Sequence, residues 1–177
     1  YKNINKTRLV RKLEKKLRRL QRKVSKKYLI NKEGGKFVKT SNIIKLEKKI
    51  QLLHRKIANI RKNYLHQVTT KIVKIKPLRV VIEDLNVKGM MKNRHLSKAI
   101  AKQGFYEFRR MLEYKCKFKG IELILADRFF PSSKMCSKCG VIDKKLKLSD
   151  RVYKCNCGLS IDRDFNASLN LSNYKLA

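Results

Sequence analysis

Between residues 7 and 28 the apolar side chains recur at Leu9, Leu13, Leu17, Leu20 and Val24, at spacings of four, four, three and four. That period lays them along one stripe of an α-helix, and Lys and Arg fill nearly every other position. Gly34-Gly35 interrupts the pattern. It restarts over residues 41–70, where Ile43, Ile50, Leu53, Ile57, Ile60, Tyr64 and Val68 fall near heptad spacing and Ser41 stands where a cap is needed. Two amphipathic helices joined by a glycine-containing loop predict an antiparallel helical hairpin.

Past Pro77 the period changes. Leu78-Arg-Val-Val-Ile82 is a short β-branched run. It predicts a strand buried on both faces, with Glu83 and Asp84 delivered at its carboxyl end. Residues 93–119 return to helical spacing, with Leu96, Ile100, Phe105, Phe108, Leu112 and Cys116 or Phe118 facing inward and Gly120 closing the helix. Ile121-Glu-Leu-Ile-Leu-Ala126 predicts a second strand. Strand, helix, strand at this separation implies a right-handed crossover and a parallel pair. A final helix is expected from Asp164 to Leu171, and the fold class is α/β.

Charge changes the picture of the hairpin. The 177 residues carry 47 Lys+Arg against 13 Asp+Glu, a formal net charge of +34, far more than solubility requires. A polyanionic partner, DNA or RNA held largely through phosphates, is the economical explanation. An exposed helix face normally mixes Glu with Lys, whereas here the cations swamp Glu, so the hairpin is expected to contact phosphates. The alternative is a plain coiled-coil arm with solvated charges. A membrane partner is not expected, because no apolar stretch approaches the ~20 residues of a span and no signal peptide is visible.

Four of the five cysteines form two close pairs, Cys136-x-x-Cys139 and Cys155-x-Cys157, about fifteen residues apart. Four thiolates in two pairs suit one tetrahedral Zn²⁺, and the glycine after each pair, Gly140 and Gly158, permits the tight turn. The second pair is one residue shorter than the commoner spacing but still able to reach one metal. Cys116 is left over as a small buried hydrophobe, and the odd count suits a reducing compartment. Glu83, at a strand end, is a metal ligand, a catalytic group or half of a salt bridge, since a bare buried carboxylate is costly. Asp164 sits at a helix start, where it is either a ligand or a cap, and Asp162 is the rival for either role. Were Glu83 and Asp164 to approach within ~4 Å they would repel unless Mg²⁺ or Mn²⁺ lay between them. Two-metal phosphodiester cleavage uses such a carboxylate cage.

Three segments carry a resemblance. Val81-Ile82-Glu83-Asp84-Leu85-Asn86-Val87-Lys88-Gly89-Met90, Arg128 through Gly140, and Asp162-Arg163-Asp164-Phe165-Asn166-Ala167-Ser168 resemble, in the right order, the C-terminal part of the TnpB (OrfB) proteins. These are transposon-encoded RNA-guided DNA nucleases related to type V CRISPR effectors. The resemblance implies an incomplete RuvC-like (RNase H-type) core, residues 77–134, behind a basic helical hairpin insertion, residues 1–76. A zinc ribbon follows over 135–158, then the last RuvC-like motif and helix over 159–177. It implies that Glu83 and Asp164 are catalytic and hold Mg²⁺ or Mn²⁺. It further implies that Cys136, Cys139, Cys155 and Cys157 hold structural zinc, and that DNA and a guide RNA are the partners in a prokaryotic, nucleoid-associated cytoplasmic setting. A third carboxylate is expected on an opening strand in a Gly-Ile-Asp-Leu-Gly-like motif. Before position 47 the only acidic residues are Glu14 and Glu33, neither on a strand-like run. The chain, which starts at Tyr1, is therefore expected to be a fragment that is inactive alone. Competing readings are a non-enzymatic basic zinc-ribbon nucleic-acid binder and a decayed remnant. The sequence assigns no oligomeric state.

Overall fold

A computed structural model describes residues 3–147 and 149–174. The chain divides into two compact units, Tyr1–Lys71 with Arg94–Met111, and Ile72–Asn93 with Leu112–Ala177.

The first unit is dominated by the hairpin. α1 spans Arg8–Ile30 and α2 spans Ser41–Lys74, the latter running on into the second unit. Val10, Leu17 and Ile57 are buried together, with Ile4, Leu13, Ile50, Leu53 and Ile60 packed around them. The inner stripe of α1 therefore starts at Val10, fully buried, rather than at Leu9, which is 55% exposed. Both residues fit a four-residue period within one position, and Thr7 caps the helix by accepting from Val10 N. Between the helices the chain makes a small antiparallel ribbon, β1 (Lys32–Glu33) against β2 (Lys36–Phe37). Gly34 and Gly35 both have positive φ, 53° and 82°, as a two-residue hairpin turn of the type matched to strand twist requires. Thr40, not Ser41, caps α2: its Oγ1 accepts from Ile43 N at 3.4 Å and its carbonyl from Ile44 N at 3.1 Å.

A polar tie completes this unit. Glu14 Oε1 accepts from Arg61 Nη2 and Lys102 Nζ, both at 2.7 Å. Arg61 Nε donates to Asn5 Oδ1 at 2.7 Å, and Asn5 Nδ2 donates to the Lys102 carbonyl at 3.0 Å. These bonds fasten both arms of the hairpin to the short helix carrying Lys102.

The single helix expected over 93–119 is broken. A five-residue turn of helix, α3 (Val87–Met91), precedes it, and then come α4 (Ser97–Gln103) and α5 (Phe105–Lys119). The break is Gly104, whose φ of 69° and ψ of 38° are left-handed, a conformation free of steric cost only for glycine. Leu65 Cδ1 lies 3.0 Å from where a Cβ on Gly104 would stand. Leu96 and Phe118 are exposed, and Met111 takes the fully buried place.

In the second unit β3 (Arg79–Glu83) pairs in parallel with β4 (Glu122–Ala126), Glu83 opposite Ala126. The parallel pair agrees with the strand–helix–strand spacing. Burial of β3 on both faces does not: its central residues are half-buried and its ends exposed, because β4 is its sole strand neighbour among the described residues. Gly120 ends α5 as expected, with φ 63° and Ile121 N donating to the Cys116 carbonyl at 2.9 Å. Beyond β4, a second small ribbon pairs β5 (Val152–Lys154) with β6 (Ser160–Asp162) antiparallel. α6 (Arg163–Ser172) follows and packs against β3 and both strands of that ribbon. Among the described residues no helix is long and apolar enough to cross a membrane.

Candidate metal centre and its carboxylate neighbours

The knuckle is built from two tight turns. In the first, Gly140 N donates to the Cys136 carbonyl at 2.9 Å and Cys136 N to the Val141 carbonyl at 2.9 Å, with Met135 bridged to Ile142. In the second, Gly158 N donates to the Cys155 carbonyl at 3.0 Å and Cys155 N to the Leu159 carbonyl at 2.9 Å. Gly140 and Gly158 have φ of 75° and 86°, the left-handed values that close each turn.

The turns bring four sulfurs together. Cys136 Sγ lies 3.6 Å from Cys157 Sγ, Cys139 Sγ lies 3.5 Å from Cys155 Sγ, and all four are within 4.8 Å of one another. A tetrahedron with Zn–S of about 2.3 Å has sulfurs ~3.8 Å apart, so the quartet fits a tetrahedral thiolate-bound ion with little adjustment. The Cys-x-Cys pair reaches the same centre as the Cys-x-x-Cys pair. Protonation tells the same story. Burial pushes the Cys136 thiol up, but the backbone N–H groups of Cys139 and Lys138 outweigh it and bring its pKa down to about 6. At Cys155 the Cys157 N–H favours the thiolate, yet burial and hydrogen bonds shared with Cys139, Cys157 and Cys136 hold it up to about 12. Four thiols this close cannot all ionise against one another, and a divalent cation removes that conflict.

Side chains behind the knuckle hold it to the final helix. Asn166, fully buried, accepts from Ser137 N at 3.0 Å and donates to the Met135 carbonyl at 2.7 Å. Asn170, one turn on and also buried, donates to the carbonyls of Ser132 and Met135, both at 2.7 Å. Residues four apart share a helix face, so the two asparagines clamp the backbone just before Cys136. Tyr153, 1% exposed, donates from its hydroxyl toward the carbonyls of Val141 (3.2 Å) and Lys134 (3.3 Å). Burial and then the neighbouring thiols push its pKa to about 12.

The carboxylates stand at the end of β3 and at the start of α6. Glu83, exposed at the end of β3, accepts from Ser132 Oγ at 2.6 Å through Oε1. Asp84 pairs with Arg128. Asp162 proves to be the cap of α6, accepting from the N–H groups of Asp164 and Phe165 at 3.0 Å. Asp164 is thereby left in the first turn, its side chain 78% exposed and 3.6 Å from Arg163. Among the described residues, the four cysteines are the one group of three or more His, Cys, Asp or Glu gathered closely enough to hold an ion. Glu83 and Asp164 are not gathered with a third such group.

Ser132, Asn166 and Asn170 are the contacts that sequence reasoning passed over. Their partners lie 29 to 49 residues away in the chain. The available signal was the pair of asparagines at helical spacing in the segment after the cysteines.

Comparison with known proteins joins these parts. Residues 2–94 match the OrfB_IS605 family described as "Probable transposase", and residues 105–171 match the Cas12f1-like TNB domain. The chain belongs to the TnpB/OrfB family. It is 45% identical over 115 residues to a putative RNA-guided DNA endonuclease of Streptomyces pristinaespiralis, covering 65% of this chain and 28% of the relative. With the putative RNA-guided DNA endonuclease InsQ of Escherichia coli K12 it shares 36% identity over 174 residues, 89% of this chain and 40% of that protein. This TnpB/OrfB chain thus spans between about a quarter and two-fifths of the length of these curated relatives. A Cas12f ternary complex contains a chain of similar structure, with TM-score 0.65 and 26% identity, covering 93% of this chain and 33% of that one. A Cas12f1–sgRNA–target DNA complex contains another, with TM-score 0.59 and 25% identity, covering 91% and 42%. The quartet and the mixed α/β fold are therefore set in a chain whose relatives are named as guided endonucleases.

Proposed function

We propose that this chain carries part of the nuclease centre of an RNA-guided, divalent-metal-dependent DNA endonuclease of insertion-sequence origin. The observation that carries the reading is that α6, which begins at Asp164's turn, packs on β3, the strand that ends in Glu83. The names of the relatives supply the substrate class. On this reading residues 1–76 are a basic hairpin insertion, 77–134 a segment of a RuvC-like core, 135–158 a zinc ribbon and 159–177 the last core motif. Cys136, Cys139, Cys155 and Cys157 hold structural zinc, and Glu83 with Asp164 hold Mg²⁺ or Mn²⁺. Bound ions there would supply an activated water and stabilise the leaving oxygen of a phosphodiester. The protein's own part is to orient ligands. Ser132 fixes one oxygen of Glu83, and the Asp162 cap frees Asp164 from backbone duty. The basic hairpin tracks phosphates of DNA and guide RNA. A three-carboxylate cage needs an aspartate in a motif these 177 residues do not contain, so the chain by itself does not cleave.

The test is a chimera in which this chain replaces the matching part of the Escherichia coli relative, programmed with a guide RNA and supplied with Mg²⁺. Cleavage is expected, with Glu83→Gln or Asp164→Asn reducing it at least a hundredfold while target binding persists. Cleavage undiminished by either change would refute the reading. It would leave the second one, a non-enzymatic zinc-ribbon binder, which the confinement of metal-competent clustering to the cysteines among the described residues favours. Either reading expects binding to fall steeply with salt, by about 0.7 to 0.9 in log–log slope per neutralised phosphate.

A further inference from the structure

We propose that Ser132 and Asn170 are positioning residues for Glu83 as a metal ligand: Asn170, on α6, holds the main chain of Ser132, and the Ser132 hydroxyl aims the Glu83 carboxylate. Both residues are buried, each 4% exposed, although the carboxylate they serve is exposed. Buried polar side chains are kept where their hydrogen bonds are made. Here the bonds are made in series. Asn170 Nδ2 donates to the Ser132 carbonyl at 2.7 Å. Ser132 N donates to the Phe130 carbonyl at 2.8 Å. Ser132 Oγ then donates to Glu83 Oε1 at 2.6 Å. Every polar group of Ser132 is engaged, so its hydroxyl holds one direction instead of turning among staggered rotamers.

The partner of Glu83 is uncharged, in a chain with 47 Lys+Arg. Among the described residues no lysine or arginine pairs with it. The next residue, Asp84, does pair with a cation, Arg128, which stands four positions before Ser132 in the same loop. A guanidinium or ammonium would orient a carboxylate and at the same time offset the charge that a divalent cation binds. A hydroxyl orients it through one oxygen and leaves the charge, together with Oε2, to an ion. Ligand carboxylates at metal sites are commonly held by hydrogen bonds of this kind. The loop thus treats two adjacent acids differently: Arg128 neutralises Asp84, and Ser132 aims Glu83.

The place of the anchor adds a consequence. Asn170 lies on α6, the helix whose first turn carries Asp164. One helix therefore presents Asp164 and, through Ser132, fixes Glu83 at the end of β3. The spacing of the two carboxylates is held by directed bonds as well as by packing. This role rests on the nuclease reading, because a positioning residue needs a reacting centre to serve.

The chimera described above is assayed over a range of Mg²⁺ concentrations, and its Mn²⁺ binding is measured separately by electron paramagnetic resonance without nucleic acid. Ser132→Ala is expected to raise both the Mg²⁺ concentration for half-maximal cleavage and the Mn²⁺ dissociation constant by about ten- to a hundredfold, the usual scale when a partner behind a metal ligand is lost. Saturating Mg²⁺ should restore most of the rate. Ser132→Thr, which keeps the hydroxyl, should stay near the parent. Asn170→Ala should move the same two quantities in the same direction by less. The double substitution should be no worse than Ser132→Ala, since Asn170 acts through Ser132. A merely structural loss would lower the maximal rate by shrinking the folded fraction and leave half-saturation where it was, and zinc content with circular dichroism reports that fraction independently. Unchanged half-saturation in Ser132→Ala, a folded Ser132→Thr variant as weak as Ser132→Ala, or additive shifts in the double variant would each overturn the proposal. Glu83→Gln run in parallel separates the two failures. Cleavage that survives it refutes the nuclease reading, whereas cleavage lost with Glu83→Gln but indifferent to Ser132→Ala refutes the positioning alone.

Discussion

The two units reach order by different routes. The hairpin unit is held by one apolar stripe, Val10, Leu17 and Ile57 with their neighbours, and by polar ties at Glu14 and at Glu47, which bonds Tyr28 and Lys39. Its stability is spread over many similar contacts. The knuckle is held by a few dissimilar ones: four sulfurs, two buried asparagines and a buried tyrosine. A periodic sequence can lose one contact and keep its shape, whereas a constellation of specific partners fails as a whole. The comparison therefore predicts graded damage in one unit and all-or-none damage in the other.

The largest expected effect is metal removal. Chelation, or Cys139→Ser, should abolish the fold of the knuckle and release close to one zinc per chain, because binding and folding share one free energy of about 10–16 kcal/mol at such sites. The helical circular dichroism of α1 and α2 should persist. Its collapse along with the knuckle would erase the contrast. Acid should act as chelation does, since protons compete with the metal for the thiolates. Next comes Ile57→Ala, a cavity at the centre of the hairpin stripe, which should destabilise that unit by about 2–4 kcal/mol in denaturant melts while zinc stoichiometry stays unchanged. Asn166→Ala strands the Ser137 N–H and removes a bond to the Met135 carbonyl. It should cost about 1–3 kcal/mol and speed zinc loss to a chelator. A variant that retains zinc as well as the parent would show that the clamp is dispensable.

The smallest effect is the titration of Glu14. Burial raises its pKa, but Lys102 and Arg61 outweigh burial and hold it below the ordinary 4.5. A depressed carboxylate contributes stability that is present above 4.5 and is lost as pH falls through the lower folded value. Thermal melts of the hairpin between pH 5 and pH 3 should therefore show a loss that Glu14→Gln abolishes. A loss of equal size in the variant would assign it to other carboxylates.

The same contrast explains what could be read from the residues alone. Periodicity reports which face of an element is buried, so both arms of the hairpin, the parallel strands and the last helix were legible. It does not fix a starting point to better than a residue, hence Val10 in place of Leu9. Nor does it register a backbone choice that costs glycine nothing, hence the break at Gly104. Cysteine spacing carried the metal site because thiolate chemistry is local. Asn166 and Asn170 look like surface residues until the carbonyls of Ser132 and Met135 arrive from 31 or more residues away. Ser132 is hidden for the same reason, its partner Glu83 lying on another element. Hydrogen bonds between distant segments leave no period in a sequence.

The cysteines also impose an order of dependence. All four lie between positions 136 and 157, and the asparagines that clamp the same loop follow at 166 and 170. Closing so short a loop costs little chain entropy. The backbone bonds that close the two thiol turns come from residues that precede α6, whereas α6 needs the carbonyls of Ser132 and Met135 held in place before Asn170 can bond them. Metal loading and the docking of α6 are accordingly expected to be one coupled equilibrium.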